Sequence, residues 1–502
     1  MSGLSGATRV PRRLVPPRRR LIAAIGGVML LLAAACGSQL DPATVARANG
    51  TALDGQAAAP GDPADVGGGP TDVGTGTGTG GGDASDNAAA GATGTNGSAP
   101  TTGDLAGSGE NAATGSGSAA SCDGFTNQTG ITDDTITVAN VADISGPVPG
   151  LFESAQQSAR AYAAYFNASN PKGICGRELN VLTMDGRTET AGDQQAYTRA
   201  CDEAFAAVGS MVADDSGGAK AAASCGLPDM RSLTTSPARR ACQTCFSAYS
   251  IAPNLVPAAI PNFIEKKEPG VTDHAAVLYV TVRSAEVNAR SYKTAYEKSG
   301  FTVDYFQGID PSEFNYAPYV QQMKDKGIRM VQYFGPYQYT VRLQQAMRQQ
   351  DYKPDIFLQD PTIYTDKYVE QAGDDGNGSI VYTTNDLFSN MNNKEMKLYR
   401  AWLNQVDPNA EPDYFGLYAW SATRLFVEKA VALGGKLNRK SMVRALSKVK
   451  DWTSNGLHTG MAVGPKRTSP CAAFIQLNNR KWRKISPKDY LCGPLINTGV
   501  GG

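Results

Sequence analysis

The folded part of the chain opens with the run Ile136-Thr137-Val138-Ala139-Asn140-Val141, which leads into the loop Ser145-Gly146-Pro147-Val148-Pro149-Gly150. The run is short and rich in β-branched residues, so it predicts a strand, and the Gly/Pro loop predicts where that strand ends. Behind the loop, apolar side chains recur at helical spacing, at Phe152, Ala155, Ala159, Tyr162, Ala163 and Phe166. A strand followed by a helix with one apolar face is the repeating unit of an α/β fold.

The same alternation continues downstream. Strands are predicted over residues 179–184, 208–212, 276–280, 301–305, 330–334 and 356–359, and helices over 194–207 and in the Ala-rich stretch that ends at Cys225. Alternating strands and helices imply parallel sheets with helices on both faces. Because the alternation restarts near residue 276, the sequence predicts an α/β protein with two doubly wound parallel-sheet lobes.

Residues 1–36 have the features of an export signal. Six arginines precede an apolar run, Leu21 to Ala35, which ends in small residues directly before Cys36. This order of regions is typical of a secretory signal peptide, and the Cys after the small residues resembles a bacterial lipobox, whose thiol is acylated. An ordinary signal peptide with an incidental Cys is the alternative. The run of about 15 residues is too short for a membrane-spanning helix, which needs roughly 20. We therefore expect an exported protein, held by lipid on Cys36 at the outer face of the cell membrane.

Residues 37–121 differ in composition from everything that follows. They are mainly Gly, Ala, Thr, Ser, Asp and Pro, without any Phe, Tyr or Trp. Such a segment cannot bury enough apolar surface to offset chain entropy, so a disordered tether is expected. A flexible coil of about 85 residues has a span of roughly 50 Å, which would hold a globular head away from a lipid surface.

The remaining residues, 122–502, are numerous enough for two packed domains. They carry 40 basic and 38 acidic residues. This balance lacks the basic footprint of a nucleic-acid-binding protein, so no nucleic-acid partner is expected.

Eight cysteines follow Cys36, and an even number in an exported chain predicts disulfides, although eight allow 105 connectivities. Cys201 and Cys225 lie in helices that flank the third predicted strand, so we expect them to pair. Cys471 and Cys492 bracket a predicted hairpin and form the second expected pair. The remaining expected pairs are Cys242–Cys245 and Cys122–Cys175.

A zinc site is the alternative use of the segment Cys242-Gln243-Thr244-Cys245. The chain has no second close pair of cysteines, and its only histidines are His274 and His458. A structural zinc site needs four such ligands, so no metal is expected.

A secreted hydrolase is the alternative class of function, because Asp215-Ser216-Gly217-Gly218 resembles the sequence around the nucleophile of trypsin-like proteases. Those proteases place their His and Asp before the Ser, whereas no His precedes residue 274 here. The folded part also lacks a phosphate-binding Gly-x-x-x-x-Gly-Lys, a His-Glu-x-x-His and a dinucleotide-binding Gly cluster. We therefore expect a protein that is not an enzyme and that needs no cofactor.

Several stretches occur in an order that is similar to one known family. They are the strand and loop at 136–147, Val208-Gly209 before a Ser/Gly loop, Gly226-Leu227-Pro228, Phe314-Asn315-Tyr316-Ala317-Pro318-Tyr319-Val320, and the Tyr-rich run Pro412-Asp413-Tyr414-Phe415-Gly416-Leu417-Tyr418-Ala419-Trp420-Ser421-Ala422. In this order they resemble the type I periplasmic ligand-binding proteins, specifically the leucine/isoleucine/valine-binding branch that serves ABC importers. The resemblance covers residues 130–495.

The resemblance implies two lobes that are joined by three chain crossings and trap a ligand between them. One lobe would comprise residues 122–252 and 385–450, and the other residues 253–384 and 451–502. Ligands of open α/β sheets bind beyond the carboxyl ends of the strands, where helix N-termini offer N–H groups.

The resemblance also implies the site residues. The family holds a ligand carboxylate on a loop after the third strand and on another after the fourth; the matching positions are Asp215, Ser216, Gly217, Thr234, Thr235 and Ser236. The second lobe would contribute the loop that contains Tyr337 and Gln338, and the strand-end turn at Asp360. Ser216 and Gly217 could instead form a helix cap, and Tyr337 could pack between helices.

The charges of this implied site bear on the ligand. The family often has a carboxylate where Gln338 stands, and Asp215 adds negative charge where an anionic ligand group would lie. Both features favour a neutral, amide-like or aromatic ligand over an α-amino acid.

We therefore expect a monomeric, lipid-anchored substrate-binding protein of an ABC importer. Its partners would be a small polar solute (an amino acid, an amide or a related compound), the ABC permease subunits and the membrane. A tethered ligand sensor with the same fold is the alternative, and the sequence does not separate the two.

Overall fold

The computed structural model describes residues 120–501, which form two large β-sheets covered by helices and one small two-stranded sheet. The predicted export signal, Cys36 and nearly all of the predicted tether lie outside the described residues. Within residues 120–501, every helix is too short or too polar to serve as a membrane span.

Fifteen strands and twelve α-helices are found in the described part of the chain. The strands are β1 Thr135–Ala142, β2 Glu178–Asp185, β3 Ala206–Val208, β4 Asp229–Thr234, β5 Cys245–Ser250, β6 Leu255–Pro257, β7 Ala275–Val280, β8 Val303–Ile309, β9 Met330–Phe334, β10 Ile356–Gln359, β11 Ile380–Thr383, β12 Cys471–Asn478, β13 Lys481–Lys484, β14 Leu491–Cys492 and β15 Leu495–Asn497. The helices are α1 Glu153–Ser169, α2 Thr190–Glu203, α3 Gly217–Cys225, α4 Pro237–Ala241, α5 Ala259–Lys267, α6 Arg283–Lys298, α7 Ala317–Asp325, α8 Tyr337–Gln349, α9 Asp366–Ala372, α10 Lys394–Val406, α11 Tyr414–Leu433 and α12 Arg439–Leu446.

The first sheet is fully parallel and has the strand order β2-β1-β3-β4-β5. The six apolar positions that predicted α1 are all buried, so this helix packs on the sheet with the face expected from its spacing. Helix α11 packs against both α1 and β4 and is buried around most of its circumference. Two doubly wound lobes were predicted, and the first lobe confirms that architecture.

The second sheet has the order β13-β12-β11-β10-β9-β7-β8. Strands β7 to β11 are parallel, as predicted, whereas β12 and β13 are antiparallel additions at one edge. Antiparallel strands therefore extend the predicted parallel sheet at this edge, where a hairpin was predicted between Cys471 and Cys492. The hairpin of β12 and β13 is short and needs no crossover helix, which is why the alternation of strands and helices did not indicate it.

The chain passes between the two lobes three times. It leaves the first sheet after β5, returns after β11 to build α10–α12, and leaves again before β12. The three connecting segments are hydrogen-bonded to one another: Ala252 N donates to Thr468 Oγ1 at 2.7 Å, and Thr459 N donates to the oxygen of Thr384 at 2.9 Å. These segments form the two-lobed architecture of a hinged binding protein.

One local prediction is wrong at the junction of α2 and β3. The helix ends at Glu203 rather than residue 207, because Ala204 is already extended, at φ −121° and ψ 151°. Strand β3 then begins at Ala206, two residues before the predicted start. Alanine favours helices in isolation, but a fully buried Ala-Ala-Val strand in a parallel sheet overrides that propensity.

All four predicted disulfides are confirmed. The pairs are Cys122–Cys175, Cys201–Cys225, Cys242–Cys245 and Cys471–Cys492. Cys471 and Cys492 are direct partners across the antiparallel pair β12 and β14, as the predicted hairpin required. No cluster of three or more potential metal ligands occurs among the described residues.

The buried guanidinium of Arg239, on α4, joins three parts of the first lobe. Its Nη1 donates to Asp229 Oδ2 at 2.8 Å, and its Nη2 donates to Asp193 Oδ2 at 2.9 Å. Asp229 begins β4, Asp193 lies on α2, and all three side chains are fully buried. Arg239 Nε also donates to the backbone oxygen of Asp215 at 2.6 Å. The loop between β3 and α3 is therefore held in place by this arginine.

A second buried arginine, Arg231 on β4, extends the network. Its Nη1 donates to the hydroxyl of Tyr197, which in turn donates to Asp229 Oδ1 at 2.8 Å. The Tyr197 ring lies 3.9 Å from the guanidinium carbon of Arg239, within cation–π distance. Each buried charge in this network thus has an oppositely charged or aromatic neighbour. Such neighbours offset the desolvation penalty of a buried charge.

We predict that Arg239→Met destabilises the protein strongly. The substitution leaves the carboxylates of Asp193 and Asp229 buried without their main partner, which typically costs about 3–5 kcal/mol of unfolding free energy. Urea unfolding followed by circular dichroism measures the change. Arg199→Met is the matched control, because its pair with Glu203 is solvent-exposed and should leave the midpoint unchanged. An unchanged midpoint for Arg239→Met would contradict a structural role for the network.

Candidate ligand-binding cleft

The predicted site residues all follow the carboxyl ends of strands in the two sheets. Asp215 and Ser216 lie between β3 and α3, Thr234 ends β4, and Asp360 directly follows β10. The others are Gly217, Thr235, Ser236, Tyr337 and Gln338, each at the start of, or just before, a helix. The carboxyl ends of strands are where open α/β sheets bind ligands.

The structure brings the two predicted loops of the first lobe together through Asp215. This carboxylate is only 1% exposed and accepts hydrogen bonds from the backbone N–H groups of Thr235 and Ser236, each at 3.2 Å. The two N–H groups are therefore engaged within the protein. The side chain of Thr235 remains partly exposed at the edge of the cleft.

The small residues around α3 have local structural roles. Ser216 makes no side-chain cap bond, and its Oγ donates to Asp214 at 2.7 Å. The cap interpretation of Ser216 is therefore wrong; Asp193 Oδ2 accepts the N–H of Gly218 at 2.7 Å instead. A Cβ atom on Gly217 would lie 1.8 Å from the backbone oxygen of Thr190, so glycine permits the close approach of α2.

Ser236 and Asp360 are helix caps as well as site candidates. Ser236 Oγ accepts the N–H of Arg239 at 3.2 Å, at the start of α4. Asp360 Oδ1 accepts the N–H of Thr362 at 2.9 Å and also the Thr362 hydroxyl.

The hydroxyl of Ser216 has Asp214 as its partner rather than a histidine, which gives no support to the hydrolase alternative.

That the second-lobe loop faces the first-lobe loops across the cleft stays a prediction. Tyr337 is half-buried against the large apolar core that includes α11, and burial raises the pKa of its phenol, with the Glu411 carboxylate as a lesser cause. Gln338 Oε1 is buried without a hydrogen-bond partner among the described residues. Across residues 120–501, no hydrogen bond connects Tyr337 or Gln338 with Asp215 or Thr235.

Tyrosines of both lobes lie near the crossings, although the two sets belong to separate apolar cores. We call them together the tyrosine cluster; its members are Tyr249 at the end of β5, Tyr292 on α6, Tyr382 on β11, and Tyr414 and Tyr418 on α11. The ring of Tyr292 stacks on that of Tyr382 with centroids 5.5 Å apart, and the ring of Tyr249 stacks on that of Tyr418, also at 5.5 Å. Tyr249 lies edge-on to Tyr414 at 6.4 Å.

The two halves of the tyrosine cluster belong to different lobes and are electrostatically coupled. Desolvation raises the pKa of Tyr292, and the neighbouring phenol of Tyr249, from the other lobe, raises it further. Desolvation likewise raises the pKa of Tyr414, with contributions from Tyr249 and Tyr292. The hydroxyls of Tyr414 and Tyr418 both contact Thr384 Oγ1, at 3.1 and 2.8 Å, in the second crossing.

Asp360 lies beside the second-lobe half of the tyrosine cluster. Its carboxylate is among the causes that raise the pKa of both Tyr292 and Tyr382, after desolvation. Burial raises the pKa of Asp360 itself to about 6, although its bonds from Thr362 act in the opposite direction. No ion pair of Asp360 occurs among the described residues. The carboxylate is therefore held in the cleft without a cation.

Sequence reasoning found Asp360 but missed all five tyrosines as site candidates. Tyr414 and Tyr418 belong to the Tyr-rich run, which was used only as a family feature. Tyr249, Tyr292 and Tyr382 come from elements that are far apart in sequence. Tyr249 and Tyr382 each lie near the end of a strand that leads into a crossing. This position could have indicated them as site candidates.

Comparison with known proteins agrees with this architecture. The family described as periplasmic binding proteins matches residues 135–481, so the chain belongs to that family. No curated protein sequence matches the chain.

Solved structures share the fold at low sequence identity. A fatty acid ABC transporter substrate-binding protein from Thermomonospora curvata is 16% identical with a TM-score of 0.63, over 75% of this chain and 97% of the other. The substrate-binding protein LivJ from Streptococcus pneumoniae, in complex with isoleucine, is 17% identical with a TM-score of 0.59, over 70% and 100%. A solute-binding protein from R. palustris, in complex with 4-hydroxybenzoate, is 17% identical with a TM-score of 0.56, over 72% and 95%. The branched-chain binding proteins among these neighbours confirm the type I fold that the sequence predicted.

We predict that Asp360→Asn stabilises the protein at neutral pH. The folded pKa of about 6 lies above the ordinary value of 3.8, so the folded state binds its proton more tightly and loses stability as the pH rises through this window. The amide removes this penalty, which corresponds to at most about 3 kcal/mol for a shift of about two units.

Urea unfolding at pH 4 and pH 8 checks this prediction. The variant should exceed the wild type in unfolding free energy at pH 8, and the difference should shrink at pH 4, where the folded wild-type carboxyl is protonated and the unfolded one is close to half-protonated. Asp310→Asn, at the exposed end of β8, is the control and should show no such gain. A pH-independent difference for Asp360→Asn would mean that the carboxylate carries no burial penalty.

Proposed function

We propose that the protein is an extracytoplasmic, lipid-anchored substrate-binding component of an ABC importer, and that it holds a small polar solute between its two lobes. The observation that carries this proposal is the two-lobed α/β fold, whose chain passes between the lobes three times, in a chain that belongs to the periplasmic binding protein family. The neighbours support it, since the ligands and solutes in their names include isoleucine, a fatty acid and 4-hydroxybenzoate.

The mechanism that follows is closure about the three crossings. A ligand that contacts both lobes makes its full set of contacts only when they are close together, so its binding shifts the population toward the closed form. The crossings are short and cross-bonded, so the lobes can rotate about them without separating. The closed form would then be presented to permease subunits, with the protein acting as a monomer and without a cofactor.

The site residues proposed for this function are those of the cleft rim and the cluster. Asp215, Ser216, Gly217 and Thr234 shape the first-lobe loop, whereas the partly exposed side chains of Thr235 and Ser236 are available to a ligand. Tyr337, Gln338 and Asp360 are the second-lobe candidates. The acceptor Gln338 Oε1, buried without a donor, is a group that a ligand N–H could satisfy.

The first experiment is a thermal-shift screen of the purified protein against a solute library. A ligand that binds only the folded state at 100 times its Kd adds about 2.7 kcal/mol of stability, which shifts the melting temperature measurably. Small-angle scattering with and without a hit then tests closure. A complete library without a hit would contradict the proposed function.

We predict that Thr235→Ala and Tyr337→Ala weaken binding of such a hit without unfolding the protein. Each change removes a polar or aromatic contact and leaves a buried partner unsatisfied, which costs about 1–3 kcal/mol, or five- to 150-fold in affinity. Isothermal titration calorimetry measures the affinity, and Tyr319→Ala, a tyrosine on α7 of the second lobe, is the control. Wild-type affinity in both variants would place the site elsewhere.

We predict that Cys36→Ser releases the protein from the membrane or stalls its processing. If the thiol of Cys36 carries lipid, the wild-type protein should partition into detergent and sediment with membranes, and the serine variant should not. Fractionation and intact-mass measurement of the mature chain decide the matter. A wild-type protein that is found free of membranes with an unmodified Cys36 would rule out the anchor.

A further inference from the structure

One side of helix α12 and the turns beside it carry basic charge without acidic partners. Residues 436–450 contain six basic side chains and no acidic one, although residues 122–502 as a whole are nearly balanced in charge. Four exposed members of this set recur every four residues and form no ion pair with a described residue. We call these four the basic face; they are Lys436, Lys440, Arg444 and Lys448.

The stability of α12 does not explain this arrangement. Lys440, Arg444 and Lys448 follow one another at four-residue spacing, at which like charges on a helix repel each other. Lys440 also lies in the first turn, where the helix dipole disfavours cations, and this turn has no acidic residue. The opposite side of the helix is anchored by Met442 and Leu446, which are fully buried. The basic face is therefore unfavourable for the helix unless a negatively charged partner lies on it.

The basic face lies at the end of the first lobe that is opposite the cleft. Arg439, next to Lys440, donates through Nη2 to the backbone oxygens of Cys201 and Ala204, each at 2.7 Å, and through Nη1 to that of Cys225 at 3.1 Å. These oxygens lie where α2 and α3 end, just before the amino ends of β3 and β4. The cleft is at the carboxyl ends of the same strands. We call this end of the first lobe its base.

The chain enters the first lobe at the same place. The N–H of Gly435 donates to the backbone oxygen of Ser121 at 2.8 Å. A Cβ atom on Gly435 would lie 1.9 Å from the backbone oxygen of Asp123, so glycine permits this close approach. The disulfide Cys122–Cys175 fixes the entering chain from its other side. The segment that leads back to the proposed lipid anchor therefore joins the lobe one residue away from Lys436.

We propose that the base of the first lobe is a membrane-contact surface, on which the basic face binds the headgroups of anionic phospholipids. The predicted tether spans roughly 50 Å, which keeps the lobe within reach of the membrane that holds its anchor. Each Lys or Arg close to an anionic lipid surface strengthens binding by about fivefold. This inference rests on the proposed function, because the lipid on Cys36 is what brings the protein to a membrane. It adds a partner for a surface outside the cleft, and it leaves the cleft facing away from the lipid.

The charges around the basic face set the strength of this contact. Two exposed carboxylates lie nearby: Asp123 at the entry of the chain, and Asp202, which opposes the lowering of the Arg439 pKa by burial. Four cations against two carboxylates leave a net positive surface. Binding through this surface alone should thus be weak and sensitive to salt, in agreement with the expected release of Cys36→Ser from membranes.

The test measures vesicle binding of the chain from residue 36 onward with Cys36→Ser, so that lipid on the anchor makes no contribution. Vesicles of phosphatidylglycerol and phosphatidylcholine in equal parts are compared with vesicles of phosphatidylcholine alone, by cosedimentation. Binding to the anionic vesicles should be stronger by about twentyfold or more at about 0.1 M salt, where the Debye length is about 10 Å. It should be lost at about 1 M salt, where the Debye length is about 3 Å.

Two double variants of this chain separate the basic face from net charge. Lys440→Gln with Arg444→Gln should weaken binding to the anionic vesicles by about twenty- to thirtyfold, to the level of phosphatidylcholine alone. Lys266→Gln with Lys267→Gln is the matched control, since it removes two exposed charges from α5 of the second lobe and should stay within about threefold of the parent chain. Thermal unfolding should be the same in all three chains, because the four side chains are exposed.

The outcomes separate this inference from the proposed function. Equal binding to both kinds of vesicle, or an equal loss in the two double variants, overturns the membrane-contact surface. Failure of the parent chain to bind anionic vesicles overturns it as well, and would favour the acidic residues of segment 37–119 of the same chain as the partner of the basic face. The anchor is judged independently by the mass of the mature wild-type chain: an unmodified Cys36 removes the proposed anchor whatever the vesicles show.

Discussion

The cleft of this protein depends on a buried ion network that is centred on the guanidinium of Arg239. This side chain contacts Asp193 on α2, Asp229 on β4 and the backbone oxygen of Asp215 in the loop before α3. Buried ion pairs add little net stability compared with apolar packing, because desolvation offsets their attraction. They are specific in geometry, however, since each donor has to meet its acceptor. The network therefore sets the position of the loop rather than the overall stability of the lobe.

The consequence of that geometry appears at Asp215. With its backbone held by Arg239, its carboxylate reaches the N–H groups of Thr235 and Ser236 and ties two strand-end loops into one unit. The loops at the rim of the first lobe are thus fixed in position, and the backbone N–H groups of Thr235 and Ser236 already donate to Asp215. Gln338 Oε1 and Asp360 Oδ2 are two groups of the predicted site that lack a hydrogen-bond partner among the described residues.

The buried aspartates of the first lobe and Asp360 in the second lobe differ in whether a basic side chain pairs with them. In the first lobe, the buried aspartates meet arginines, and their charges are compensated inside the protein. In the cleft, burial raises the pKa of Asp360 to about 6 and no basic side chain approaches it among the described residues. A carboxylate with a perturbed pKa and no ion pair is a candidate functional group.

The sequence by itself determined the architecture. Alternating periodicity indicated two parallel sheets, helical spacing identified the buried face of α1, and the positions of eight cysteines indicated all four disulfides. Those features are local, because a strand or helix pattern is written in neighbouring residues. Only the tertiary structure decided that α2 stops at Glu203, that β12 and β13 join the second sheet antiparallel, and that Asp215 turns inward. It also decided that Tyr292 stacks on Tyr382 and Tyr249 on Tyr418, although each pair lies on elements far apart along the chain. The direction of a side chain at the end of a strand is set by long-range packing, so the spacing of residues along the sequence does not predict it.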